Sequence, residues 1–181
     1  MQGLIYTILA DMVIDMKGIP FWNEVIRESN VASKGAYTTG VQYDDEELFA
    51  IVEYLEKALE LPQAEIIKLY GVHLFPILLE KMPVGSLEMS SMKRFLLQID
   101  EVIHKEVKRV NPDVYLPEFQ YIDPGKDELV MLYRSKRKLC PLSEGLIIGA
   151  GKHFNTEVTI NHPICMHDGA DHCRLEIIMV P

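Results

Sequence analysis

The chain has 181 residues, of which 48% are hydrophobic and 25% charged, a balance that supports one domain, or two small lobes sharing a core, and excludes disorder. Its net charge of −9, with 18 Lys+Arg against 27 Asp+Glu, argues against nucleic acid or an anionic membrane as partner. No apolar run reaches the roughly 18 residues that span a bilayer, and three cysteines without scaffold density point to a reducing cytoplasm.

In chain order, residues 2–17 carry Leu4, Ile5, Ile8, Leu9, Met12, Val13 and Met16 at helical spacing, and Gly18 and Pro20 stop the run. The segment resembles a signal peptide only superficially. It lacks a positive leading region and contains Asp11 and Asp15, so it reads as a helix of the mature fold. PFWNEVIRES continues as a short helix, and the polar, Gly-punctuated residues 29–43 read as a loop. DDEELFAIVEYLEKAL starts with acids suited to a helix N-terminus. Pro62 is placed to open the next helix in its first turn, and Gly71 and Pro76 weaken or kink that helix. After PVGS a further helix is expected from about 89 to 110, ending before Pro112, with Phe95, Leu96, Ile99, Val102, Ile103 and Val110 on one face.

The texture then changes. EFQYID, a PGKD turn and ELVMLYR read as a β-hairpin, PLSEGLIIGAGKHF as a helix, and TEVTINHP and CRLEIIMV as two final strands. The glycines at 145, 149 and 151 suit helix packing better than dinucleotide binding, because no strand feeds them in the required order. The order predicts an α+β fold: a helical N-terminal lobe, about 1–62, and a C-terminal lobe, about 63–181, with an antiparallel sheet plus helices.

Two constellations carry chemistry. His104 lies at the flank of its helix's apolar arc, between Leu97 and Val107, where a lone histidine is usually an amphipathic side chain with a wet tip. Downstream, Tyr133, Ser135 and Arg137 form Y-x-S-x-R. If the strand continues through them, its two-residue period puts two hydroxyls and a guanidinium on one face, a cradle for carboxylates. A neutral imidazole with a dicarboxylate cradle is what heme requires, an axial ligand and an anchor for two propionates. The second constellation uses every cysteine. Cys140, His162, Cys165 and Cys173 offer three thiolates and one imidazole, the donor set of a closed tetrahedral zinc site, with His162 and Cys165 expected on one turn. His167 and His172 compete for the imidazole role, three plain buried thiols are the bland alternative, and clustered cysteines can also act as a redox switch.

The segments IDEVIHKEV, YLP, YRSKRKLC and EGLIIGA, and the chain from MQGLIYTILADMV to CMHDGADHC, resemble the H-NOX (heme nitric oxide/oxygen binding) family, specifically its stand-alone bacterial NO sensors. The resemblance implies heme b buried between the lobes, His104 as proximal iron ligand, and Tyr133, Ser135 and Arg137 on the propionates. It implies that Pro117 presses on the porphyrin and that Ile5 and Leu146 pack against it. Oxygen-binding members place a tyrosine nine positions after the motif tyrosine; here that residue is Leu142, and the supporting position is Leu74. NO and CO are therefore the expected ligands, with Tyr6 and Tyr70 the residues that could upset this by reaching in. Some bacterial members carry a structural zinc at the cysteine pattern. The family further implies a cytoplasmic sensor, not an enzyme, that signals in trans to a histidine kinase or to a cyclic-di-GMP synthase or phosphodiesterase. A heme-free zinc/thiol redox-sensing module is the alternative, and a zinc hydrolase is disfavoured because four ligands leave no open position.

Overall fold

Punctuating residues set the element boundaries. A computed structural model describes residues 1–82 and 87–180; the PVGS segment, read from sequence as the break before a helix, lies outside them. Helix α1 spans Gly3–Lys17 and α2 Ile19–Ser29. Between them Gly18 sits at φ 84°, a conformation that side chains resist. Helix α3 spans Asp45–Leu59, and its N-cap Asp44 accepts from the Glu46 N–H at 3.1 Å. Helix α4 runs Gln63–Glu80 with Pro62 as its N-cap residue, one position before the first turn. These four helices, with Val31 and Leu139, bury one core that includes Tyr6, Leu9, Val25, Ile51, Leu55 and Leu74.

The helix expected from about 89 to 110 is broken into three pieces: α5 at Met92–Leu96, a π-helical turn at Ile99–His104, and α6 at Lys105–Val110. Gln98 explains the interruption. Its side-chain amide donates to the Arg94 carbonyl at 2.7 Å, taking an acceptor from the helical ladder, and ties the Glu88 backbone through both amide atoms. Val110 is 79% exposed rather than on a buried face, at the end of α6 where Lys108 and Arg109 are exposed as well.

Strands β1 (Glu118–Gly125), β2 (Glu128–Arg134), β3 (Glu157–Ile164) and β4 (Cys173–Val180) form one antiparallel sheet in the order β1-β2-β4-β3. On β4, Cys173, Leu175, Ile177 and Met179 alternate inward. Leu175, Ile177 and Met179, with Leu129 and Met131 of β2, pack on α5 and on α7 (Cys140–His153) to make a second core. The architecture is α+β, as the element order implies.

Helix α4 continues through Gly71 and Pro76, and close packing accounts for the glycine. A Cβ on Gly71 would lie 2.5 Å from the Leu142 carbonyl oxygen, and one on Gly145 would lie 2.1 Å from that of Lys68. Helices α4 and α7 therefore touch backbone to backbone, the helix-packing role expected for Gly145. Gly145→Ala is expected to lower unfolding stability by about 2–3 kcal/mol or more, because backbone atoms must move. Gly125→Ala, whose Cβ meets nothing within 4 Å, should stay within about 0.5 kcal/mol. Urea unfolding midpoints of the two variants check this.

Candidate functional site

The π-helical turn is what positions His104. Its signature is the Ile103 N–H reaching back five residues to the Gln98 carbonyl at 3.1 Å. At the end of that turn His104 Nδ1 lies 2.7 Å from Asp100 Oδ1, and Asp100 Oδ2 accepts from the Phe119 backbone N–H at 3.1 Å. A ring whose Nδ1 donates to a carboxylate keeps its lone pair on Nε2. Burial pulls the His104 pKa below the ordinary imidazole value, against the raising effects of Asp100 and the Pro117 backbone. The imidazole is thus neutral, the form that ligates a metal. Its side chain is only 15% exposed, so it does not have the wet tip of an ordinary boundary histidine. The sequence reading missed Asp100; its four-residue spacing from His104 was the available signal.

Residues 115–119 join His104 to the anchor motif. The Phe119 ring centroid lies 5.8 Å from that of His104 and 5.6 Å from that of Tyr133, its partner across the β1–β2 ladder. The Tyr115 carbonyl accepts from Arg137 Nη1 at 2.7 Å, and its ring lies 4.8 Å from the guanidinium carbon. The structure therefore brings His104, Pro117, Tyr133, Ser135 and Arg137 into one neighbourhood.

The motif does not lie on a continuous strand face. Strand β2 ends at Arg134. Ser135 and Arg137 occupy the turn into α7, which Lys138 at φ 49° completes. The turn curls the motif instead of extending it: Ser135 Oγ accepts from the Arg137 N–H at 3.2 Å. Burial pushes the Tyr133 phenol above its ordinary value, and the neighbouring Ser135 side chain offsets part of the rise. Arg137 Nε donates to Asp45 Oδ2 at 2.6 Å. One Nη1 proton and both Nη2 protons remain for an anionic guest.

Ile5, Leu74, Leu142 and Leu146 all join the first core cluster, and Leu146 touches the second as well. Both tyrosines that could reach toward a ligand are committed elsewhere. Tyr70 donates its hydroxyl to the Ile5 carbonyl at 2.5 Å, and Tyr6 donates to that of Asp44.

The four residues of the second constellation also converge. Cys140, His162, Cys165 and Cys173 each place a ligand atom so that all lie within 4.8 Å of one another. Cys140 and Cys165 Sγ are 3.8 Å apart, and Cys165 and Cys173 Sγ 4.0 Å. A tetrahedron with metal–sulfur bonds of about 2.3 Å has edges of about 3.8 Å, so the spacing fits a zinc ion. The same distances lie far beyond a disulfide bond. His162 sits near the end of β3 and Cys165 just past it, so the pair spans an irregular strand end, not a turn. His167 Nε2 is bonded to the Lys138 carbonyl and His172 Nδ1 to Asp171, outside the cluster. Burial, reinforced by Cys173 and Cys165, pushes the Cys140 thiol well up. A divalent cation is what makes buried thiolates affordable.

A family model described as haem-NO-binding matches residues 2–162, and the chain belongs to that family, the H-NOX heme gas-binding sensor domains. An H-NOX protein from S. oneidensis, solved in the Fe(II)NO state, is 32% identical with a TM-score of 0.92 over 100% of each chain. The solution structure of a Shewanella oneidensis H-NOX domain in the Fe(II)CO state is 32% identical, TM-score 0.88, over 99% of this chain and 98% of that one. The unliganded Fe(II) H-NOX protein from K. algicida is 26% identical, TM-score 0.90, over 100% and 97%. Among the described residues no helix is long and apolar enough to cross a membrane.

The Asp45–Arg137 pair joins the anchor motif to the start of α3. Burial alone would raise the Asp45 carboxyl, but Arg137 and the Met1 ammonium together hold it below the ordinary carboxylate value. A folded pKa below the unfolded one stabilises the fold above about pH 4 and is lost as the pH falls through the lowered folded value. Asp45→Asn should therefore cost about 1–3 kcal/mol at neutral pH. The difference from wild type should shrink steadily on acidification below about pH 4, as measured by urea unfolding across that range.

Proposed function

We propose that the chain binds heme b with His104 Nε2 as the sole protein ligand of the iron, and that it senses NO. The observation that carries this reading is the Asp100-held, neutral, largely buried imidazole of His104, set beside Tyr133 and Arg137 in a chain of the haem-NO-binding family. Bound heme would supply a ferrous iron able to take a diatomic gas. Tyr133, Ser135 and the free Arg137 protons hold the propionates. Pro117 would press on the macrocycle, and Ile5 and Leu146 would pack against it.

Leu142 and Leu74 leave the gas side without a hydrogen-bond donor, and the hydroxyls of Tyr6 and Tyr70 are occupied by backbone carbonyls. Bound O₂ gains from such a donor, whereas NO and CO bind without one. The expected ligands are therefore NO and CO. His104 would hold the iron, and its release on NO binding would be the switch. Its helix and Pro117 would no longer act as one unit against the N-terminal lobe, about 1–62, which would shift relative to the remainder, about 63–181.

The output is a change of shape read in trans by a cytoplasmic histidine kinase or a cyclic-di-GMP enzyme that binds the two states with different affinity; the domain itself is a sensor, not an enzyme. A structural zinc at Cys140, His162, Cys165 and Cys173 accompanies the heme. The sulfur spacing supports it, and the same cysteines would be the seat of any redox response. The heme-free redox module is the weaker reading, because it leaves the His104–Asp100 pair without a purpose.

His104→Gly should abolish heme retention, and free imidazole should restore it together with the wild-type reduced absorption spectrum. Retention of heme without imidazole, with that spectrum unchanged, contradicts the proposal.

A further inference from the structure

His162 brings to the thiol cluster a ring nitrogen with a conspicuous deficit. Among the described residues its Nε2 is buried and has no hydrogen-bond partner. Its Nδ1 lies 2.7 Å from Glu144 Oε1. Were Nε2 to carry the proton, a buried donor would go unsatisfied and the Nδ1 lone pair would face a carboxylate. The carboxylate thus selects the tautomer with the proton on Nδ1 and the lone pair on Nε2, toward the three sulfurs.

Glu144 is itself held. Its second oxygen, Oε2, pairs with Lys68 Nζ at 3.3 Å, and the carboxylate side chain is 15% exposed. Lys68 stands on α4 one turn before Gly71, and Gly145 brings α7 within backbone contact of the Lys68 carbonyl. Both Glu144 oxygens are therefore used, one on the imidazole and one on the helix behind it.

We propose that Glu144 is the positioning residue of the thiol–imidazole centre: it orients His162 for a zinc ion and, through Lys68, fixes the centre to α4. This rests on the zinc reading of the four-residue cluster. A carboxylate behind a ligating histidine fixes the ring's tautomer and direction and raises its basicity.

The test measures zinc affinity of the reduced, full-length chain by competition with a chromophoric chelator, and records the visible spectrum after Co²⁺ replaces Zn²⁺. Wild type should bind about one zinc per chain. Glu144→Ala should weaken it about 10- to 100-fold and shift the cobalt ligand-field bands. Glu144→Gln, whose amide oxygen still accepts from Nδ1, should fall between the two, and Lys68→Met should weaken binding by about threefold or more, a fraction of the usual loss for such outer partners. Those two variants carry the test if Glu144→Ala does not fold. Heme content and the far-ultraviolet dichroism of folded variants should match wild type, which separates positioning from general damage. A wild type that takes up no zinc overturns the zinc reading and this proposal together. A zinc-binding wild type whose Glu144 and Lys68 variants keep its affinity and cobalt spectrum overturns this proposal alone.

Discussion

The backbone contact between α4 and α7 is the constraint on which the rest of the molecule hangs. Gly71 and Gly145 let the two helices approach until a single added methyl on either would strike a carbonyl oxygen. Because α7 is held there, Leu142 and Leu146 enter the same apolar cluster as Ile5 and Leu74. Cys140, at the start of α7, reaches the sulfurs of the C-terminal strands, and Glu144 faces Lys68. One helix pair thus serves both the proposed gas side and the proposed metal centre. A looser crossing would misplace both sets of side chains, since packed interiors leave little slack.

Much of this was legible in the sequence, because hydrophobic periodicity and turn residues are local signals. The α1 run from Leu4 to Met16, the acidic start of α3, the hairpin around PGKD and the alternation of CRLEIIMV all became the elements they suggest. His104 and the Y-x-S-x-R residues stood out because their residue types narrow the chemistry. The π-helical turn did not, since a wheel drawn at 3.6 residues per turn cannot display it. The strand reading of Ser135 and Arg137 failed because β2 ends at Arg134 and the chain turns there, a turn that Lys138 completes at positive φ. Partners distant in sequence were equally hidden. Arg137 finds Asp45 across 92 residues, and Tyr70 finds the Ile5 carbonyl across 65.

The proposed distal chemistry follows from what those long-range bonds do. A tyrosine hydroxyl near a ligand site is a candidate donor until its proton is assigned. Here the Tyr70 and Tyr6 hydroxyls each donate to a main-chain oxygen, and burial pushes both phenols above their ordinary values. Turning either toward a ligand would give up that hydrogen bond, at a cost of about 0.5–1.5 kcal/mol. Leu142 and Leu74, the other residues of the proposed gas side, lie in an apolar cluster. Around His104 the polarity is reversed, with Asp100, Tyr133 and Arg137 meeting the 115–119 segment. That asymmetry, polar around His104 and apolar around Leu74 and Leu142, is the physical basis of the proposed preference for NO and CO.

The most direct measurement of that claim is the absorption spectrum of the heme-loaded, reduced protein as each gas is admitted in turn. NO and CO should each give a stable, distinct spectrum. Air should give no persistent oxygenated spectrum, only the unliganded form and then slow oxidation. A lasting oxygenated spectrum in air would contradict the account, because it requires a hydrogen-bond donor on the side assigned here to Leu74 and Leu142.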